Sequence, residues 1–469
     1  MGYLYERVAT KLSEAIEQGV FPPGSRLPSI RTTQRRFGVS TATVMEAFAR
    51  LEVKGLIEAR SKSGHFVRLR PDHTTLCSRV SRPNPRPGPV SVVDLAMEVL
   101  AICNQADQVP LGSPVPSSVT LPLDTLMRLH ARAARQCRKQ LGRYEDPMGL
   151  FALRQAIARL MAESGAIVDP SQIVITNGAQ EALHLALSVV TSPGDCVAVE
   201  SPTYVGILQA IEALNLCAME LPTHPMKGID LNALEKAAQA HGIRACILAP
   251  TYQNPLGFSM TDDNKRSVVN LLNHHGIPLI EDDVFGTLGL DNPRPKTAKA
   301  FDQHDNVILC SSFSKTVAPG LRIGWLAPGR YSKEVIRQKF LTNLSTGVVP
   351  QQTLADFLDG NRFRRTTQAA ANTYAQRLQR LREAVIRMFP DGTRCTAPRG
   401  GFFLWVELPK RYDTLELFHV VSRKGISLFP GRQFSRGNRY KNGLRLSCAA
   451  IVEEDIDAAV DKLAQLIPR

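Results

Sequence analysis

The sequence predicts two unequal parts. One is a small unit of three helices closed by a β-hairpin. The other is a large α/β unit, with a mostly parallel central sheet and helices on both faces. Three observations predict this. In residues 1–70 apolar residues recur at helical spacing between capping signals. From about residue 150 helical stretches alternate with short apolar strands, the pattern of a mostly parallel sheet. Between them residues 71–91, PDHTTLCSRVSRPNPRPGPVS, lack apolar periodicity and are rich in Pro, Ser and Arg, which reads as a semi-rigid linker. With 469 residues, 43% apolar and 21% charged, the chain can fill more than one core.

In the small unit, Leu4, Val8, Leu12 and Ala15 or Ile16 mark a first helix that Gly19, Pro22 and Pro23 end. Ser29 is placed to cap a short helix from Ile30 to Phe37, and Gly38 and Val39 make a turn. Ser40 then caps a third helix with the apolar face Val44, Ala47, Phe48 and Leu51, which Gly55 stops. LIEA and HFVRL alternate around SKSG, a hairpin signal. Three helices with a tight turn before the third, then a two-stranded wing, spell a winged helix-turn-helix.

The large unit reads as a helix over 150–162, the strand Ile173 to Thr176, a helix over 181–190 and the strand Val197 to Glu200. A helix over 205–214, a strand around Cys246, a helix over 262–274 and the strand Pro278 to Glu281 follow. Val307 to Cys310 and Ile323 to Leu326 are further short strands, and GGFFLWVELP, residues 400–409, gives another, which the resemblance named below assigns to a smaller C-terminal subdomain. Ligands of such sheets sit beyond the carboxyl ends of the strands.

The formal charge of +14 is uneven: residues 1–90 carry 15 Lys and Arg against 7 Asp and Glu, a net of +8 that leaves +6 for the rest. The first part is therefore the candidate for an anionic polymer. Nine cysteines occur singly with no CxxC pair, which points to reduced thiols and to neither zinc nor a disulfide framework. No apolar run approaches the ~18 residues a membrane helix needs, and MGYLYERVATKL has no apolar signal region, so the expectation is cytoplasmic.

Chemistry concentrates at the strand ends. In SSFSKTVAPGLRIGW, Lys315 lies among Ser312, Ser314 and Arg322, an amine beside candidate phosphate ligands. Ile280 to Asp283 ends in EDD, QNPLG carries Asn254, NGAQEAL opens a helix at Ala179 and Gln180, and SPTY carries Tyr204. Each is weak alone: a solvated lysine, a turn, a strand end, a helix start. Their joint order is not weak. Residues 92–469 resemble the pyridoxal phosphate (PLP)-dependent transferases of fold type I, closest to the aminoadipate and kynurenine transaminases. The resemblance implies Lys315 as Schiff-base lysine, Asp282 on the ring nitrogen, Asn254 at the phenolic oxygen and Tyr204 stacked on the ring. It implies Ala179, Gln180, Ser312, Ser314 and Arg322 at the phosphate. Tyr144 in GRYEDPMG would reach the neighbouring subunit's phosphate, and Arg445 in GLRLSCA would hold a substrate carboxylate. Where that family usually places a tyrosine, this chain has Phe285, which cannot donate to the ring oxygen and leaves the site less tuned for turnover.

Residues 1–70 resemble the DNA-binding domain of the GntR family through FPPGSRLPSIR, FGVSTATV and LEVKGLIEARSKSGHFV. This implies Arg31, Ser40, Thr41 and Thr43 at phosphates or base edges, Arg26 near the backbone, and a wing around Lys62 and Gly64 that approaches the minor groove. Thr41 stands where many relatives carry arginine. A protein-docking module is the bland alternative for this unit. The full chain is similar to the MocR group of bacterial regulators. That implies a PLP-dependent, DNA-binding head-to-tail homodimer sensing an amine, an amino acid or PLP by aldimine chemistry at Lys315. Its rivals are an active aminotransferase with a DNA-binding appendage, and a protein that keeps PLP only as a folding element.

Overall fold

Backbone caps and one apolar seam build the small unit. In the computed structural model, which describes residues 4–17, 20–21, 25–53, 56–60, 64–67, 78–105, 107–240, 242–291, 293–437 and 439–468, the chain divides into two compact units, 1–76 and 77–469. The first contains α1 (Leu4–Glu17), α2 (Ile30–Phe37), α3 (Thr41–Val53), β1 (Ile57–Arg60) and β2 (Gly64–Val67). The Ser29 Oγ accepts from Thr32 N at 3.2 Å and the Ser40 Oγ from Thr43 N at 3.1 Å, so both hydroxyls satisfy first-turn amides. Gly38, at φ +63°, closes α2 by donating its N–H to the Gln34 carbonyl. Val8, Leu12, Val44, Phe48, Leu51, Ile57 and Val67 meet in one core. β1 and β2 pair antiparallel from Ile57 with Val67 to Arg60 with Gly64. The chain before α2 adds to this wing: Leu27 N donates to His65 O and Val67 N to Ser25 O, each at 2.8 Å. Lys62 lies outside the described residues.

In the second unit, β3 (Gly88–Pro89), α4 (Val93–Cys103), α5 (Leu123–Gln136) and α6 (Phe151–Glu163) precede β4 (Val174–Thr176) and α7 (Ala179–Val190). Next come β5 (Cys196–Ser201), α8 (Val205–Ala213), β6 (Cys217–His224), β7 (Gly228–Ile229), α9 (Leu231–Ala240) and β8 (Ala245–Leu248). α10 (Asp262–His274), β9 (Leu279–Asp282), β10 (Val307–Ser312) and β11 (Gly324–Ala327) complete the central sheet region. Its strands run β3-β6-β5-β8-β9-β10-β11-β4, with β7 on β6. β6, β5, β8, β9 and β10 are parallel neighbours, and β11 runs against both β10 and β4. β5, β8, β9 and β10 are buried throughout and contain mostly apolar residues, as strands covered on both faces must be.

The chain continues through α11 (Ser332–Asn343), α12 (Val348–Leu358) and the long α13 (Arg362–Met388) into the C-terminal subdomain. That subdomain has β12 (Arg394–Cys395), β13 (Phe403–Glu407), α14 (Thr414–Ser422), β14 (Phe429–Pro430), β15 (Gly443–Ser447) and α15 (Ile456–Gln465), with an antiparallel sheet in the order β12-β13-β15-β14. No helix of the described residues is long and apolar enough to cross a membrane.

Residues 78–91, expected to belong to the linker, are a strap on the large unit. Ser81 N donates to Thr223 O at 3.1 Å, the Ser81 Oγ accepts from Thr223 N at 2.7 Å, and Gly88 and Pro89 pair with Ala218 and Cys217 of β6. The stretch is held by backbone pairing to an edge strand, where proline is tolerated and no apolar periodicity is needed. Residues 71–77 lie outside the described residues.

Leu51 is fully buried in the small core. Leu51→Ala is expected to destabilise that unit by about 3 kcal/mol. Chemical denaturation should show its transition shifted and the large unit's transition unmoved.

Candidate functional site

The carboxyl ends of β4, β8, β9 and β10 open on one cleft of about 740 Å³. Its floor on one side is an anion cup. After β4 the chain turns through Gly178 at φ +83°, and α7 begins with Ala179 and Gln180, whose first-turn amides have no intrahelical acceptor. The backbone of β11 presses on this turn so closely that a Cβ on Gly324 would collide with Gly178 and Ala179. The Ser312 Oγ donates to the Ser314 Oγ at 2.8 Å and accepts from Ser314 N at 2.9 Å. Arg322, at φ +53°, donates its Nη2 to Asn177 O at 3.1 Å and so stands beside the same turn. Ala179, Gln180, Ser312, Ser314 and Arg322 all line the cleft.

Alternation along β9 separates the three carboxylates of EDD. Glu281 accepts from Ala298 N at 2.7 Å and Lys299 N at 3.0 Å, and Asp283 pairs with Arg294 at 2.8 Å. Asp282, between them, faces the cleft and accepts only a 3.3 Å bond from Val284 N. Burial raises its carboxyl to about 7, and the nearby Asp283 adds to the rise. Across the cleft the Lys315 Nζ donates to Pro114 O at 2.7 Å. Burial, then the positive fields of Arg445 and Arg322, bring the Lys315 ammonium down to about 8. Asp282 and Lys315 therefore both sit near neutrality, where a proton moves at little cost.

The Asn254 Oδ1 accepts from Arg445 Nη1 at 3.3 Å, which leaves its NH2 group to donate into the cleft. Tyr204 walls the cleft at the head of α8, where Gln180 Nε2 donates to Gly206 O at 2.8 Å and joins α7 to α8. Arg445, on β15, is 1% exposed. Its guanidinium lies 3.9 Å from the Phe403 ring centroid and 4.2 Å from that of Phe429, and its other acceptor is Gly112 O at 3.4 Å. Its Nε has no partner among the described residues, and burial lowers its pKa to about 9. It is a buried cation with carbonyl acceptors and no carboxylate. Phe285 lines the cleft and packs edge-to-face on Phe402 and Phe403 at 5.3 and 5.6 Å.

Tyr144 is not brought to this cleft: it is 83% exposed on the surface. Pro114, Thr251, Val284 and Phe403 line the cleft and were not singled out in the sequence. Pro114 and Gly112 fall in LGSPVPSS, where proline spacing signals only an irregular segment. In the small unit Arg26, Arg31, Ser40 and Thr41 are exposed, and Thr43 is half-buried with its Oγ1 2.8 Å from the Ser40 Oγ. The Thr41 Oγ1 donates to Gln34 Oε1 at 3.1 Å. Gly64, at φ +96°, has the Arg26 guanidinium beside it, so a side chain there would strain the backbone and crowd the wing.

Residues 107–463 match the family of class I and II aminotransferases, and residues 4–67 match the gntR family of bacterial regulatory proteins. Over 463 residues, 99% of this chain and 98% of the relative, the sequence is 38% identical to the uncharacterized HTH-type transcriptional regulator YdcR of Escherichia coli. The regulator YjiR of the same organism is 36% identical over 99% of both chains. The chain belongs to the MocR group of GntR-family regulators. The large unit of this MocR chain is similar to the alpha-aminoadipate aminotransferase of Thermus thermophilus, solved with N-(5'-phosphopyridoxyl)-L-leucine. The two share a TM-score of 0.73 and 26% identity over 79% of this chain and 94% of that one. The aminotransferase family to which the large unit of this MocR chain belongs is PLP-dependent in general.

In ligand-free protein the raised Asp282 keeps its proton to about pH 7, whereas unfolded chain loses it near 3.8. Between those values the native state binds more protons, so this group's contribution to stability falls as pH rises and is at its worst above 7. Asp282→Asn should therefore raise the melting temperature of ligand-free protein, with a gain that is small near pH 4, grows up to pH 7 and then levels off.

Proposed function

We propose that this chain is a PLP-dependent transcription regulator. Its small unit binds double-stranded DNA, and its large unit responds to an amino acid, an amine or PLP itself. The observation that carries the proposal is Asp282, a buried carboxyl with no ion pair among the described residues, opposite Lys315 in a cleft lined by Ala179, Gln180, Ser312, Ser314 and Arg322.

The residues fit PLP group by group. Ala179, Gln180, Ser312, Ser314 and Arg322 would hold the phosphate by amides, hydroxyls and a guanidinium. Asp282, as a carboxylate, would accept a hydrogen bond from the protonated ring nitrogen, which would supply it with a positive partner. Asn254 would donate to the ring oxygen, and Tyr204 would cover a ring face. When bound, PLP supplies an aldehyde that condenses with amines and a protonated ring that withdraws electrons. At an acidity constant near 8, Lys315 keeps a neutral, nucleophilic fraction at physiological pH. Arg445 suits a ligand carboxylate, whose two oxygens would satisfy a fork that now has long bonds to Asn254 and Gly112.

Regulation requires that the amine or amino acid favour one arrangement of the protein over another. Partnership with a second copy is part of the proposal. Tyr144, with Leu141 at 61% and Met127 at 68% exposure, leaves apolar surface that a head-to-tail homodimer would cover. Reading DNA places the protein in the cytoplasm. An active aminotransferase is the second reading, favoured by the presence of both Lys315 and Asp282. Phe285, which gives the ring oxygen no donor, weighs against it.

Lys315→Ala is expected to abolish the visible absorption band of the purified protein and any change in DNA affinity on amino-acid titration. A band that survives this substitution would sink the cofactor assignment; full turnover with an oxoacid and indifference to DNA would favour the enzyme. Arg31→Ala is expected to weaken all DNA sequences together and to lower the slope of log affinity against log salt by about one. Unchanged binding and slope would remove Arg31 from the DNA surface.

A further inference from the structure

A second concavity, of about 1240 Å³, shares no residue with the cleft. One wall is the strap at Arg79 and Arg82. The other comes from the C-terminal subdomain, with Arg394 on β12, Lys410 after β13, and Arg439 before β15. Five cations thus line a groove that contains one carboxylate, Glu407. That carboxylate accepts from Trp405 Nε1 at 3.1 Å, and burial raises its carboxyl above the usual range; one carboxylate against five cations leaves the groove positive. Arg79, Arg82 and Lys410 are exposed.

The walls are fixed to each other. Arg439 Nη2 donates to the Arg82 carbonyl, and the Tyr440 hydroxyl on the floor sits 2.7 Å from the Ser201 Oγ at the end of β5. A fixed furrow of like charge is unfavourable on its own and is relieved by a polyanion, whose counterions are released in exchange.

We infer that this groove binds the phosphodiester backbone of DNA flanking the segment read by the small unit. The inference rests on the regulator reading and adds a second contact to it. Two features favour DNA over a small phosphate ligand. The cations come from two separate segments of the chain, the strap and the C-terminal subdomain, and among the described residues no helix begins at a residue that lines the groove. Chain length adds a third argument. Twelve Cα-to-Cα steps lead from Val67 at the end of the wing to Arg79 in the groove, and they span at most about 42 Å at ~3.5 Å each. Duplex DNA rises ~3.4 Å per base pair, so the groove stays within reach of roughly a dozen base pairs of flank.

The test uses the full-length, PLP-loaded protein and two duplexes by fluorescence anisotropy across a salt series. One duplex is the site footprinted upstream of its own gene; the other is that site with about 15 further base pairs on each side. Wild type is expected to bind the longer duplex more tightly and with a steeper salt slope. Arg79→Ala/Arg82→Ala/Lys410→Ala is expected to lose about 10-fold or more on the long duplex, with a slope smaller by roughly two to three, and to keep wild-type affinity for the short one. The charge-keeping variant Arg79→Lys/Arg82→Lys/Lys410→Arg is expected to restore the long-duplex affinity. Equal wild-type affinity for both duplexes would overturn the inference, as would equal losses on both in the alanine variant. Calorimetric binding of inorganic pyrophosphate that the alanine variant loses, with the long duplex unaffected, would also overturn it in favour of a small-anion site. Failure of wild type to bind either duplex would strike the regulator reading itself.

Discussion

Three ionisable side chains, Lys315, Asp282 and Arg445, are held out of water in one region without an ion pair among them, and the arrangement of the large unit follows from that constraint. Burying unpaired charge is costly, and a protein sustains it only when the surrounding packing fixes the groups in place. Here the fixing is done by strands buried throughout, by a carbonyl at Pro114 that takes the Lys315 ammonium, and by aromatic rings against the Arg445 guanidinium. A ligand with complementary groups, such as the phosphate, protonatable ring nitrogen and carboxylate of the proposed function, would offset that cost. Conformations that satisfy these groups are thereby favoured over those that do not, which is the physical basis for a ligand to shift a population.

Behind this region a second buried carboxylate supports the first. Glu200, at the end of β5, accepts from Ala249 N at 3.1 Å and Gln253 Nε2 at 3.3 Å. Gln253 in turn donates to Pro202 O at 2.8 Å and accepts from Leu256 N at 2.8 Å. The turns that carry Tyr204 and Asn254 are thus linked by one amide side chain. Burial raises Glu200 to about 8, so the network is mostly uncharged near neutrality.

Much of this was legible in the sequence, for physical reasons that differ by residue. The phosphate-cup residues and Lys315 follow apolar strands, and strand ends are where a parallel sheet exposes its ligands. Asp282 was singled out through the resemblance, and alternation along β9 gives the physical reason it faces the cleft while Glu281 and Asp283 turn the other way. In the small unit Ser29, Gly38 and Ser40 announced the helix ends directly. What stayed hidden was held by backbone alone. The pairing of residues 25–27 with the wing, the carbonyl of Pro114 and the strap on β6 use peptide groups, which every residue has and no side-chain pattern reveals. β6 itself was missed because CAMELPTH mixes proline, glutamate and histidine at a sheet edge. Of the cysteines, the eight in the described residues are all free, and all but Cys217 are buried, as small apolar side chains among other core atoms.

The strap also decides where the large module ends. A chain cut at residue 92, where the composition changes, would leave the outer peptide groups of Cys217, Ala218 and Thr223 without the partners that Gly88, Pro89 and Ser81 supply. Such a row of open donors and acceptors is a template along which further chains add, and it turns a soluble module into one that self-associates. A cut before residue 78 keeps the row closed. These fourteen residues, 78–91, therefore belong to the large unit as its own selvedge.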